Sequence, residues 1–414
     1  MNILIISDYD QIALDLNTNL RKYGYKSVLL TTKHIEDDDT VINISNIKSK
    51  RILWLLGALR SFVYRHLLLW IKHYIYCQDI SENSHYYSLR RIKKKVTDTP
   101  DVIIILFDYR IVTAKTISDL YKWSKAKILW MMVDMKPMTG GCSYAGKCIN
   151  YQSDCKKCPA IGNALFQSFA QKILNDKKNN IKEVDLHMIA GSTFQAKQAL
   201  SSTLFKNKPI DTIYFPCDGN VFKYRKKSEA RKLLSLPLDK KIILCGAASG
   251  NAPRKGFKYL TEALMKLSNT SQIDNVILLV IGKEEPSGIS KFLFPCVHLG
   301  WVDFDKLALA YQSSDVFVCP SIEDSGPIMV NQSIMCGTPV VAFKMGVCLD
   351  LIEDGENGYL ADLEDAVGLC NGIKKILTLS EAQKVQMTKK CLNVSKDLNY
   401  GKFFQNIEQL IQSN

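Results

Sequence analysis

Short apolar runs recur along the chain, each followed by a stretch whose apolar positions return at helical spacing. Residues 2–7, 27–30, 102–107, 127–133 and 187–190 read as a first group of buried strands. Residues 241–246, 276–281, 316–319 and 340–343 read as a second. Between them the spacing predicts helices over 11–23, 112–124, 228–236, 305–313 and most of 381–410. Buried strands alternating with helices make parallel βαβ units, so the fold class is α/β. At 414 residues the chain is long enough for two domains of about two hundred residues each.

The most informative unit runs from Val316 to Phe343, V-F-V-C-P-S-I-E-D-S-G-P-I-M-V-N-Q-S-I-M-C-G-T-P-V-V-A-F. Pro327 is placed for the first turn of its helix, and Gly337 and Pro339 are placed to stop it. The loop that opens the helix holds two carboxylates, Glu323 and Asp324. The N–H groups of Ser325, Gly326 and Ile328 would stand at the positive end of the helix dipole, where a phosphate binds. Carboxylates there would repel a bare phosphate. A ligand with both a diphosphate and sugar hydroxyls removes the conflict: the helix end takes the phosphates and Asp324 accepts from a hydroxyl. Glu323 could fill that role instead. Gln332, inside the helix, is expected to face the same ligand.

This segment resembles the donor-site signature of retaining GT-B glycosyltransferases of family 4 (group 1), in which two acidic residues flank seven others ahead of C-G-x-P-V-V. Here the pattern is Asp324, seven residues, Gln332, then Cys336-Gly337-Thr338-Pro339-Val340-Val341. The second acidic residue, which binds ribose in the family, is Gln332 in this chain. The family also places an Arg and a Lys after the first strand of the donor domain. Strand 241–246 is followed by A-A-S-G-N-A-P-R-K-G, so Arg254 and Lys255 with Gly256 are the corresponding diphosphate-binding residues. Residues 297–302, V-H-L-G-W-V, resemble the segment whose backbone reads the nucleobase, which makes Gly282, Gly300 and Val302 donor-site neighbours.

In the first half, V-D-M-K-P-M-T-G-G-C (133–142) is similar to the H-D-x-W-P-x-T-G-G-C loop of polysaccharide-assembly members. Asp134 matches, and Val133 stands where the family has His. Asp134 is a catalytic candidate alongside Asp324, Lys255 and Arg254, and equally a loop-capping residue. The glycine-rich loop that family members carry after the first strand is Asp8-Tyr9-Asp10-Gln11 here. Cys142, Cys148, Cys155 and Cys158 follow, spaced C-x5-C-x6-C-x2-C, and could hold a structural zinc or remain unligated thiols. The resemblance implies no metal or other cofactor for catalysis beyond the nucleotide-sugar donor, a UDP- or GDP-sugar.

Charge changes the picture of partners. Residues 1–212 hold 31 Lys and Arg against 19 Asp and Glu, leaving 23 against 22 for the rest, so nearly all of the net +13 is in the first half. Residues 48–95 carry eleven basic and two acidic residues among Leu, Trp and Phe, a composition that suits either a helix on an anionic membrane surface or a core helix with a solvated basic face. No nucleic-acid recognition motif accompanies the charge, so nucleic acid is not expected as a partner. The thirteen scattered cysteines suit a reducing cytoplasm. No secretory signal or uninterrupted apolar span is present, and the expected location is cytoplasmic, peripheral on the inner face of the membrane.

The expectation is a GT-B protein with two Rossmann-like domains facing a central cleft: 1–215 on the acceptor side, 216–395 binding the donor, and 396–414 a terminal helix crossing back to the first. It would move a sugar from a nucleotide sugar to a lipid-linked or oligosaccharide acceptor with retention, in bacterial surface-polysaccharide assembly. The rival expectation, motivated by Val133, Gln332 and the absent glycine loop, is a catalytically weak partner that binds a glycan or nucleotide sugar.

Overall fold

The computed structural model describes residues 1–8, 10–33, 38–45, 55, 59, 62–63, 66, 69–71, 81–107, 111–246, 252–269, 275–283 and 294–413. Two compact units account for it: residues 1–191, 195–213 and 407–414 form one, and residues 192–194 and 214–406 the other.

The first unit is built on a seven-stranded sheet in the order β3-β2-β1-β4-β5-β6-β7. Its strands are β1 (Asn2–Ile6), β2 (Lys26–Thr31), β3 (Val41–Asn43), β4 (Val102–Ile105), β5 (Lys127–Met132), β6 (Leu186–Ala190) and β7 (Ile210–Thr212). Every pairing is parallel. The central strands are buried throughout, as helices on both faces of a parallel sheet require. The helix expected from residue 112 begins at Ala114, because the Thr113 side chain caps it by accepting from the Thr116 N–H. Residues 212–216, expected as an exit segment, begin with the end of the short edge strand β7. The last turn of helix Tyr400–Gln412 belongs to this unit, where Glu408 accepts from the Tyr25 hydroxyl at 3.1 Å.

The second unit carries a six-stranded parallel sheet in the order β10-β9-β8-β11-β12-β13. Its strands are β8 (Lys241–Gly246), β9 (Val276–Ile281), β10 (Cys296–His298), β11 (Val316–Cys319), β12 (Val340–Phe343) and β13 (Gly358–Ala361). Apolar clusters cover both of its faces, one around Leu264, Leu278 and Val341, the other around Tyr311, Phe317 and Ile334. The expected helical stretch 381–410 is two helices, Glu381–Val394 and Tyr400–Gln412. A capping box at Ser380 starts the first, and Asn399, accepting from the Lys402 N–H at 2.9 Å, starts the second.

In each sheet the strand order reverses once, between β1 and β4 in the first and between β8 and β11 in the second. Chain connections depart to opposite sides at such a point and leave a crevice beyond the carboxyl ends of the two strands. In the second unit the two loops that border this crevice are the one after β8, with Arg254 and Lys255, and the one after β11, with Glu323 and Asp324.

Much of the basic stretch 48–95 lies outside the described residues, as does 247–251, the glycine-containing part of the loop after β8. Among the described residues no helix is long and apolar enough to cross a membrane.

Candidate functional site

The register of β8 against β11 pairs Val316 with Ile243 and Val318 with Cys245, so both strands end together and deliver their loops side by side. In the described part of the loop after β8 the chain makes a 3-10 turn, Pro253–Lys255, closed by Gly256 at φ +65°. A Cβ on Gly256 would stand 1.8 Å from the Pro320 carbonyl oxygen, so only glycine allows the two loops to approach so closely. The Arg254 carbonyl then accepts from the Ile322 N–H at 2.8 Å and stitches one loop to the other.

That contact brings the sequence-predicted charges together. Lys255 Nζ donates to Asp324 Oδ2 at 2.7 Å, and Arg254 Nη1 donates to the same oxygen at 3.0 Å and to the Glu323 carbonyl at 3.3 Å. All three side chains are largely shielded from solvent, where such pairs are stronger than at an open surface. One carboxylate oxygen thus holds two cations, and the cluster of Arg254, Lys255 and Asp324 keeps a net positive charge. Asp324 is engaged through its side chain with both cations.

The helix after Asp324 is Ile328–Met335, starting directly behind Pro327 and ending at Cys336, with Gly337 at φ +77°. Gly346, at φ +54°, approaches the Asp324 carbonyl so closely that a Cβ would meet it at 3.0 Å. Ser325 is buried, and its hydroxyl has no hydrogen-bond partner among the described residues.

Gln332, expected to face the donor, has a partner of its own inside the second unit. It is buried, and its amide oxygen accepts from the Tyr311 hydroxyl at 3.2 Å. Tyr311 is itself fully enclosed, so the carbonyl end of Gln332 is turned into the core. Gly282 and Gly300 both lie in the left-handed region, and the Gly282 N–H donates to the Gly300 carbonyl at 3.0 Å. The Gly282 carbonyl faces His298 Nε2 at 3.0 Å, so the backbone groups of Gly282 already have partners inside the protein. Val302 is partly buried at the same strand end. Sequence reasoning passed over Trp301, 65% exposed beside it with Lys283 Nζ 5.3 Å over its ring. An exposed aromatic just after Gly300 was the available signal.

In the first unit Asp134 follows β5 and caps its own loop, Oδ1 accepting from the Lys136 N–H at 2.8 Å. Burial pushes its carboxyl above the ordinary range despite that bond and the nearby Lys136 and Lys177 charges. The four cysteines of the following segment border one small cavity. Among the described residues no group of three or more His, Cys, Asp or Glu is arranged to hold a metal ion as it stands.

A cavity of about 410 Å³ opens at the opposite, amino-terminal edge of the second sheet, lined by Arg225, Gln312, Asp315 and Thr338 among others. It contains none of the residues assigned to the donor. The site is therefore placed by the strand crossover and the Arg254–Lys255–Asp324 cluster, not by cavity size.

Two doubly wound parallel sheets, each in its own unit, define the GT-B class of α/β fold. Over 99% of this chain the structure superposes on sucrose-phosphate synthase from Thermosynechococcus elongatus, covering 98% of that chain with a TM-score of 0.67 at 18% identity. It also superposes, over 100% of both chains, on the Anabaena protein HepE crystallised with UDP and glucose, with a TM-score of 0.63 at 15% identity. Residues 239–379 match the family model described as "Glycosyl transferases group 1", about a third of the chain and the part that holds Arg254, Lys255 and Asp324. The matched residues lie within the second unit. A phosphatidyl-myo-inositol mannosyltransferase of Mycobacterium leprae is 31% identical over 157 residues, 36% of this chain and 41% of the relative. A D-inositol 3-phosphate glycosyltransferase of Mycolicibacterium smegmatis is 27% identical over 210 residues, 48% of this chain and 46% of the relative. The chain spans less than half the length of these two relatives.

Proposed function

We propose that the chain is a retaining glycosyltransferase that takes a hexose from a nucleotide sugar and passes it to a lipid-linked or oligosaccharide acceptor. The observation that carries this reading is the convergence of Arg254, Lys255 and Asp324 at the crossover of the second sheet. Asp324 Oδ2 steadies the two cations, and its Oδ1, which makes no hydrogen bond among the described residues, is the oxygen that accepts from a sugar hydroxyl. Arg254 and Lys255 bear on the diphosphate, whose negative charge grows as the glycosidic bond breaks. Retention follows from the resemblance to family 4: the departing phosphate takes the acceptor's proton on the face it leaves, so no protein nucleophile is required. HepE, crystallised with UDP and with UDP-glucose, supports a nucleotide-sugar donor, with UDP- and GDP-sugars as the candidates.

Calorimetric titration of UDP, GDP, ADP and their sugar conjugates tests the donor site. Micromolar binding of one base series, abolished in a Lys255→Ala/Asp324→Ala variant, is the expected result. No binding by folded wild-type chain would move the catalytically weak glycan-binding partner to first place. That second reading is favoured by the inward turn of Gln332 and by Val133 in place of His.

Surface-polysaccharide assembly on the inner face of the cytoplasmic membrane is the setting we propose. Its support is the basic first half and the exposure of Leu55, Leu59 and Phe62, spaced to share one helical face at 59, 61 and 55% exposure. The chain should sediment with phosphatidylglycerol vesicles and not with phosphatidylcholine vesicles, and a Leu55→Asp/Leu59→Asp/Phe62→Asp variant should stay in the supernatant. Equal recovery of wild type and variant would remove the membrane from the proposal.

A further inference from the structure

The proposed transfer leaves unused the four cysteines between the Thr139 turn and the helix Phe169–Ile181. Cys142, Cys148, Cys155 and Cys158 all border one cavity of about 20 Å³, room for a single water-sized body. Cys155 and Cys158 are buried, and Cys142 and Cys148 are half-buried at its rim.

The surrounding backbone is already turned toward sulfur. The Gly140 N–H faces the Cys155 sulfur and the Ala160 N–H the Cys158 sulfur, the Ile161 N–H donates to the Cys158 carbonyl at 3.1 Å, and the Cys142 and Cys158 thiols face each other. Neutral thiols are weak acceptors, whereas a thiolate gains from each such donor. Cys155 and Lys157 both adopt left-handed conformations, at φ 55° and 53°, in the C-x2-C turn that sets both sulfurs on the cavity. Two non-glycine residues held this way are strained and persist where the surroundings fix them. Gly140 closes the wall: a Cβ there would lie 2.3 Å from the Ala170 carbonyl oxygen. Lys177, itself buried, donates to the Lys136 and Thr139 carbonyls at 2.6 and 2.9 Å and places its charge beside the cluster.

As the side chains stand, no three of these sulfurs converge on one point. Cys142 and Cys158 form a pair, and closing the set requires the rim thiols to move in.

We propose that Cys142, Cys148, Cys155 and Cys158 bind one zinc-class divalent ion, the two rim thiols closing onto the two buried ones. The four thiols release four protons to solvent, and the ion forms four bonds to sulfur, leaving a tetrathiolate centre of charge −2. Lys147, Lys156, Lys157 and Lys177 offset that charge. The backbone donors orient the ligands as the outer shell of a structural site does. The ion fastens the loop from Thr139 to Cys158, next to Asp134, and takes no part in chemistry.

The test is a cobalt(II) titration of the reduced full-length chain, followed by displacement with zinc(II). About one equivalent of cobalt should give the near-ultraviolet sulfur-to-cobalt bands and intense visible bands of a tetrahedral thiolate site, bleached by zinc. Cys148→Ser, at the rim, should weaken cobalt binding at least about tenfold while circular dichroism stays native. Cys296→Ser, exposed and outside the cluster, should change nothing. Absence of thiolate bands in folded, reduced protein would overturn the proposal, as would unaltered affinity in Cys148→Ser. A Cys142–Cys158 disulfide as the resting state, found by thiol counting and peptide mapping, would also overturn it.

Discussion

Alanine at Lys255 is expected to lower sugar transfer by about 10²–10³ at saturating donor, the usual consequence of removing one preorganised group that meets charge developing in the transition state. Lys255 is held 2.7 Å from Asp324 Oδ2 and shielded from solvent, so it needs no reorganisation when the diphosphate departs. The loss should appear in kcat and kcat/KM together, because the interaction strengthens as the leaving group gains charge. Lys255→Arg keeps the charge but replaces a compact ammonium with a planar fork beside the fork of Arg254, and should recover only part of the rate. Asp324→Asn separates the two duties of the carboxylate. It keeps an oxygen for a sugar hydroxyl while loosening both cations, so the sugar conjugate should still bind while kcat falls, because the cations are no longer held in place for the departing diphosphate. A Lys255→Ala enzyme with only a raised KM would mean that Lys255 binds ground and transition states alike, and the electrostatic account would be withdrawn.

The parallel strands were readable because residues such as Ile103, Leu278 and Val318 face apolar surroundings on both sides, and an unbroken apolar run expresses that directly. The Arg254–Lys255–Asp324 cluster was readable in composition but not in connectivity. Seventy residues separate Arg254 from Asp324, and only the β8–β11 pairing with the bare Gly256 brings them together. The bond from Tyr311 to Gln332 was not readable, because Tyr311 lies on the preceding helix and a polar residue facing a ligand looks the same in sequence as one bonded into the core. The edge strands β3, β10 and β13 were missed for a related reason. They are three or four residues long and only partly buried, so they carry little periodic signal.

Least legible of all was Asp315, one residue before β11, and its replacement by alanine is expected to destabilise the second unit by about 3–5 kcal/mol. Its carboxylate accepts from Arg231 Nη2 at 2.9 Å, from the Ile242 N–H at 2.7 Å and from Lys227. Arg231 is buried and spends its other donors on the carbonyls of Ser313, Leu238 and Lys240 at 2.8–2.9 Å, tying helix Lys227–Leu233 to the starts of β8 and β11. Without Asp315 that guanidinium keeps its charge in a buried place with no carboxylate to meet it. Burial alone would raise the Asp315 carboxyl, but the Lys227 and Arg231 charges and the Ile242 N–H outweigh it and hold the group below its ordinary value of 3.8. A carboxyl with a folded value below its unfolded one contributes stability above the unfolded value and loses it as the pH falls through the folded one. The gap in urea midpoint between wild type and Asp315→Asn should therefore be full at pH 7 and shrink below about pH 4. A gap that stays constant down to pH 3 would mean the pair contributes no charge-dependent stability. Because the loop at the far end of β11 carries Asp324, the same variant should also weaken nucleotide binding before it unfolds, linking the hidden ion pair at one end of the strand to the donor loop at the other.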